Sequence, residues 1–120
     1  MKAGKLKVHK LIASVDVGMP INIEGIEQQI PSAMIYGLSA ALSGKITFVD
    51  GVPQQKNFTD YPVLQMADSP EFVVDIVRNL ESPMGAGEIG TPCVAPALAN
   101  AIFALNGKRI RTLPLNDALA

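Results

Sequence analysis

Apolar and polar positions alternate loosely from Leu6 to Val17, a stretch rich in Val, Ile and Leu that predicts a strand ending at Gly18. Met19 to Gln29, which holds Pro20, Asn22 and Gly25, reads as a connection. A helix is expected to start near Pro31, because proline suits a first helical turn, where its missing N–H goes unused. From there Met34, Ile35, Leu38, Ala41 and Leu42 give an apolar stripe at helical spacing, running to Ser43. Lys45–Val49 predicts a short strand, Asp50-Gly51 a hairpin turn, and Val52–Tyr61 its return arm or a loop. Glu71–Val77 predicts a second clear strand. Residues 79–92 form a loop rich in Gly and Pro, too long for a simple turn. Val94–Leu105 predicts a nearly all-apolar helix with Pro96 in its first turn and Asn106-Gly107 as its stop. Lys108–Leu115 predicts a final short strand. The order β, α, ββ, β, loop, α, β predicts a mixed α/β (α+β) domain, a small sheet packed with two main helices.

At 120 residues the chain is expected to form a single domain over 1–120, able to bury roughly two thirds of its unfolded surface. Hydrophobic residues make up 48%, a surplus that points to apolar surface for a partner or for further chain to cover. The charge balance, 10 basic against 11 acidic residues, leaves no cationic excess for a nucleic-acid backbone. Lys2, Lys5, Lys7 and Lys10 cluster near the start, but no uninterrupted apolar segment follows them to complete a secretion signal. No apolar run is long enough to span a membrane. One cysteine, Cys93, excludes an internal disulfide and an iron–sulfur cluster held by this chain alone; one histidine, His9, excludes a multi-histidine metal site.

The loop 79–92 carries the one sequence pattern with chemical content. Gly85, Gly87 and Gly90 match G-x-G-x-x-G, which invites a dinucleotide-binding reading. Three features oppose it. The preceding strand ends near Val77, Pro92 and Pro96 delay the helix, and Lys108-Arg109-Ile110-Arg111 is too charged for a strand buried in a parallel sheet. The loop instead presents Glu88 between glycines, just ahead of an apolar helix. Glycines let a backbone approach a ligand closely, and a partly desolvated Glu there suits proton abstraction. By composition alone, an ordinary solvated loop carboxylate is the better explanation of Glu88, and the residue needs further support for a catalytic role. Cys93 reads as a small buried hydrophobe, Asp16 as a backbone-bonding residue at a strand end, and His9 as structural or exposed.

Four segments in order carry a family resemblance from about Val15 to Leu115. They are Val15-Asp16-Val17-Gly18 with Ile21-Asn22, then Gln29 with Gly37-Leu38-Ser39-Ala40-Ala41-Leu42, then Asn57-Phe58-Thr59-Asp60-Tyr61-Pro62. The fourth runs from Gly85-Ala86-Gly87-Glu88-Ile89-Gly90-Thr91-Pro92 through Ala95–Ile102 to Gly107–Arg111 and Leu113-Pro114-Leu115. Together they resemble the C-terminal end of the molybdenum-binding large subunit of the xanthine dehydrogenase/aldehyde oxidase family. The likeness is greatest to the isoquinoline oxidoreductase beta-subunit and membrane aldehyde dehydrogenase branch.

That resemblance implies a molybdenum–molybdopterin (cytosine dinucleotide) cofactor in a complete enzyme that hydroxylates aldehydes or N-heterocycles with oxygen from water. It places the family's general base on Glu88, which takes a proton as the oxygen attacks an electrophilic substrate carbon. It places cofactor contacts on Gln29 and Gly87, Gln29 standing just before the expected helix; a plain helix-capping role for Gln29 is the alternative. Asp60 and Tyr61 fall on a structural element of the family. The chain departs from the family at Ile30-Pro31-Ser32-Ala33, where a hydrophobe, Glu and Gly-Gly usually follow the glutamine, and at Ile89, where many members have Pro or Ala. The implied partners are the remainder of the large subunit and a small iron–sulfur subunit, with electrons leaving through the clusters. The chain alone is expected to be a catalytically silent fragment with no cofactor bound. A non-enzymatic domain that docks on a partner or self-associates is the alternative from a different class, drawn from the apolar surplus and the two apolar helices.

Overall fold

The computed structural model describes residues 6–119; Lys2 and Lys5 of the basic cluster lie outside them. The chain folds as β1 (Lys10–Val15), α1 (Ile23–Ser43), β2 (Phe48–Val49), β3 (Val52–Pro53), β4 (Glu71–Ile76), α2 (Thr91–Asn106) and α3 (Leu115–Leu119). Two short 3₁₀ turns, Phe58–Asp60 and Met66–Asp68, separate β3 from β4. The architecture is mixed α/β, as the alternation of elements predicts.

β1 and β4 pair in parallel, with Lys10 opposite Glu71 and Val15 opposite Ile76. Each strand alternates exposed and half-buried positions, so one face of the pair is open and the other packs inward. On the open face Lys10 meets Glu71 at 2.9 Å and the Ser14 hydroxyl donates to Asp75 at 3.0 Å, with Ile12 and Val73 exposed between them. Leu11, Ala13, Val15, Phe72, Val74 and Ile76 pack toward the helices. The second sheet is the hairpin predicted at Asp50-Gly51. Both residues have positive φ, 50° and 78°, the geometry whose twist matches an antiparallel strand pair.

α1 supplies the largest share of the core. Ile26, Ile30, Met34, Leu38 and Ala41 recur every three to four residues along one face and meet Val94, Leu98 and Ile102 of α2, with Val17, Ile110 and Leu115 closing the ends. Ile30 and Leu38 are wholly buried, each contributing about 1.5–3 kcal/mol.

Several expectations need correcting. α1 begins at Ile23, well before Pro31, so Gln29 lies inside the helix and not at its entry. The side chain of Asn22 accepts a hydrogen bond from Gly25 N–H at 2.9 Å and starts the helix. Pro31 sits in the interior, where it offers no N–H to the Glu27 carbonyl. Glu27 is exposed, so water can satisfy that carbonyl.

Likewise α2 starts at Thr91, and Gly90 caps it despite Pro92, since a proline in the first turn forfeits no intrahelical bond. The third glycine of the G-x-G-x-x-G pattern therefore does open a helix. The other objections to a dinucleotide fold stand: β4 ends at Ile76, far ahead of Gly85, and residues 108–114 form no strand. That last segment was expected to be one. It instead straps the helices irregularly, burying Ile110 and Leu115 while Lys108, Arg109 and Arg111 stay exposed. Cys93 is exposed, because α1 covers only the Val94–Leu98–Ile102 face of α2. The outer strands are shorter than predicted, Lys10–Val15 for 6–17 and Phe48–Val49 for 45–49.

Candidate functional site

The loop that carries Glu88 is fastened at both ends. At its start, Met19 N–H donates to the Glu81 carbonyl at 3.0 Å and Met84 N–H to the Val17 carbonyl at 2.8 Å, lashing it to the segment after β1. Asp16 stabilises that junction: its Oδ1 accepts from Gly18 N–H at 3.0 Å and from the Asn79 amide at 2.8 Å, so it bonds backbone as expected and a loop side chain as well. Gly18 has φ +70°, and a Cβ there would come within 2.2 Å of the Ser82 carbonyl oxygen, so a side chain is excluded twice over.

At the other end, Gly90 lies against α1, where a Cβ would meet the Ile30 carbonyl at 3.0 Å and the Ala33 methyl at 3.2 Å. Thr91 donates its hydroxyl to the Ala33 carbonyl at 3.1 Å, and its N–H closes a turn on the Glu88 carbonyl at 3.0 Å. Glu88 is thus carried on a turn whose two flanks are held by α1 and by the β1 exit.

Between these anchors the glycines pass the middle of α1. A Cβ on Gly87 would stand 4.0 Å from Gln29 Oε1, whereas one on Gly85 would meet nothing within 4 Å. Gly87, the residue before Glu88, is therefore brought near Gln29. An open groove of about 400 Å³ adjoins it, lined by Asn22, Gly25, Gln28 and Gln29 on one side and Pro83 and Ala86 on the other. Gln29 and Glu88 are both exposed, and neither side chain makes a hydrogen bond or ion pair among the described residues. The desolvation expected around Glu88 is not supplied by this chain's own atoms.

The arrangement fits a cofactor with polar edges. Two exposed amides, Gln28 and Gln29, can each donate and accept, and the glycine-bearing loop leaves its backbone open to close approach. The helix-end argument for Gln29 does not survive, but the true end of α1, at Asn22, lines the same groove. No group of three or more His, Cys, Asp or Glu side chains that could hold a metal ion occurs among the described residues.

Sequence reasoning missed the Asp16–Asn79 bond, the Thr91–Ala33 bond and the Asn22 cap. Only the last carried a readable signal: an Asn followed by Glu24 in the first turn. Asp60 fits its structural reading, its carboxylate accepting from Lys56 and Asn57 N–H at 3.1 Å each to close the 3₁₀ turn.

Residues 1–70 match the family model described as the molybdopterin cofactor-binding domain. The chain is 37% identical over 115 residues to the membrane-bound aldehyde dehydrogenase [pyrroloquinoline-quinone] of Gluconacetobacter polyoxogenes, covering 96% of this chain and 15% of that protein. It is 36% identical to isoquinoline 1-oxidoreductase subunit beta of Brevundimonas diminuta, again covering 96% and 15%. With the aldehyde oxidoreductase molybdenum-binding subunit of Escherichia coli, identity is 30%, over 93% of this chain and 16% of that protein. Among solved structures, CO dehydrogenase from Oligotropha carboxidovorans superposes with a TM-score of 0.78 at 23% identity, over 91% of this chain and 15% of that one, a likeness of fold. The chain spans about 15% of the length of the curated relatives it matches. On this matched domain and these identities, it belongs to the molybdopterin cofactor-binding domain family, within the xanthine dehydrogenase/aldehyde oxidase group of molybdenum oxidoreductases.

Proposed function

We propose that this chain provides the base-bearing loop and one cofactor-contacting helix face of a molybdenum-dependent oxidoreductase that hydroxylates aldehydes or N-heterocycles. The observation that carries the reading is the approach of Gly87, the residue before Glu88, to Gln29, which lines an open groove. When bound, the molybdopterin cofactor, in its cytosine dinucleotide form, supplies two-electron oxidation. Gln29 presents its amide to a polar edge of that cofactor, and Gly87 keeps the intervening backbone free of side-chain bulk. Glu88 accepts the proton released as a water-derived oxygen attacks the electrophilic carbon of the substrate. The anchors at Met84 and Thr91 hold the turn that carries Glu88, which limits where its carboxylate can reach.

The reading includes partners. A general base works best shielded from water, so exposed Glu88 is taken to be covered by further chain, this domain acting together with the remainder of a large subunit and with an iron–sulfur subunit that removes electrons. By itself it is inactive. Among the described residues, no helix is long and apolar enough to cross a membrane.

The test is Glu88→Gln in the complete, cofactor-loaded subunit. Turnover should fall about 10²–10⁴-fold with molybdenum and pterin content unchanged. Near-normal turnover overturns the assignment, and a bound quinone in place of molybdenum overturns the cofactor reading.

A second reading, a non-enzymatic docking domain, draws on the exposed Ile21, Tyr36, Phe58, Met66 and Leu80. A clean monomer in sedimentation of the isolated chain counts against it.

A further inference from the structure

β1 has a vacant edge. Glu71 N–H donates to the His9 carbonyl and Val77 N–H to the Val15 carbonyl at the two ends of the β1–β4 ladder. Backbone groups in a parallel pair alternate in direction, so odd-numbered residues of β1 address β4 while Lys10, Ile12 and Ser14 turn their N–H and C=O groups outward. Among the described residues, no backbone hydrogen bond outside the ladder engages those three.

A groove of about 400 Å³ runs along this edge. Leu11 to Asp16 form one wall, Ile89, Cys93 and Ala97 the other, and Met34 is part of the lining. The groove follows from an imbalance of layers. Helices side by side take up about 8–10 Å each and paired strands only about 4.8 Å, so two helices need roughly four strands to cover them. Here there are two. The strand pair packs on α1 through β4, and α2 packs chiefly on α1, leaving Cys93 and Ala97 exposed beside β1.

We propose that the vacant edge of β1 accepts a further β-strand from the remainder of a molybdenum-binding subunit, laid over the N-terminal half of α2. The proposal rests on the reading that this domain works within a longer subunit, and the curated relatives, of which it spans about 15%, have ample chain to supply the strand. The incoming backbone pairs with Lys10, Ile12 and Ser14. Aliphatic side chains at alternate positions enter the groove, where Gly90, Cys93 and Ala97 leave room for them. A second copy of this chain is a poorer occupant. Two β1 edges paired about a two-fold axis would bring both α2 helices to the same side, competing for the space beneath the new strand pair.

The test uses the isolated chain with overlapping synthetic peptides covering the rest of the Brevundimonas diminuta isoquinoline 1-oxidoreductase subunit beta, followed by residue-resolved amide hydrogen exchange. A peptide with alternating aliphatic residues should slow exchange at Ile12 and Ser14 by about 100-fold at saturation, while Leu11 and Ala13, already in the ladder, change little. Ile12→Pro, which removes only an outward N–H, should leave the fold intact by the exchange of Leu38 and abolish the peptide effect. The proposal is overturned if no peptide protects Ile12 and Ser14. It is also overturned if unrelated aliphatic peptides protect them equally, or if protection rises with chain concentration alone, the mark of a second copy. None of these readouts involves molybdenum, so their failure is separable from failure of the Glu88 assignment.

Discussion

Gly37 and Thr91 meet so closely that a Cβ on residue 37 would come within 2.4 Å of the Thr91 carbonyl oxygen. The contact sets the distance between α1 and α2, and with it the height at which the turn bearing Glu88 crosses α1. Replacing Gly37 by Ala in an open helix would stabilise by about 0.5–1 kcal/mol. Here the obstacle is the backbone of another helix, which cannot swing aside, so Gly37→Ala should instead destabilise by about 1–3 kcal/mol. Urea unfolding of the isolated chain decides it, since the two expectations differ in sign.

Thr91 also ties the same turn to α1 through its hydroxyl on the Ala33 carbonyl. Thr91→Val keeps the shape and removes the donor, and should cost about 0.5–1.5 kcal/mol. Thr91→Ser keeps the donor and should recover most of it. A loss in Thr91→Ser with none in Thr91→Val would show that the methyl group, not the hydrogen bond, matters.

At the far end of the loop, Gly18→Ala combines a positive φ with a direct clash on the Ser82 carbonyl. The strands and helices do not depend on this turn, but the bonds from Met19 to Glu81 and from Met84 to Val17 do. Amide exchange at Met19 and Met84 should rise in the variant, while that at Leu38 and Val94 stays slow. Uniform acceleration across the chain would mean that the turn supports the whole fold and not the loop.

The elements with strong local patterns were legible. Glu71–Ile76 alternates, Asp50-Gly51 demands positive φ, and Asn106-Gly107 ends α2, with Gly107 at φ +74°. What misled was proline. Pro31 reads as a helix start, yet it lies within α1, because the core positions Ile26, Ile30 and Met34 run through it in one unbroken stripe. Tertiary burial outweighed a local breaker. Lys108–Leu115 reads as a short strand, yet among the described residues no strand pairs with it. In the site, Glu88, Gly87 and Gln29 were placed by resemblance, and their proximity depends on α1 and α2 crossing, which no local pattern encodes. The Asp16–Asn79 and Thr91–Ala33 bonds join residues far apart in sequence and left no trace in it.

The Asn22 cap was passed over because Pro31 drew the expected helix start away from it, and it makes its own prediction. Asn22→Ala removes the acceptor for Gly25 N–H and should cost about 0.5–2 kcal/mol. Asn22→Asp restores the acceptor, adds favourable charge at the helix start and should match or exceed the parent stability. Thermal unfolding of the three proteins gives the ranking; an Asn22→Ala protein as stable as the parent would remove the cap from the account.

Gln29 offers a test that separates fold from function. It is exposed and makes no hydrogen bond among the described residues, so Gln29→Leu should leave the stability of the isolated chain within about 0.5 kcal/mol. In the complete subunit the same change should weaken cofactor retention, by up to about tenfold for the loss of one neutral hydrogen bond. Molybdenum and pterin content after extended dialysis is the measurement. Gln29→Glu then identifies what the amide touches. If its partner is a phosphate, a carboxylate repels it and retention falls below that of Gln29→Leu. If its partner is a ring N–H of the pterin, the carboxylate accepts as the amide did and retention stays above it. Equal retention in parent, Leu and Glu proteins would mean that Gln29 has no hold on the cofactor and that its nearness to Gly87 serves only the packing of the loop.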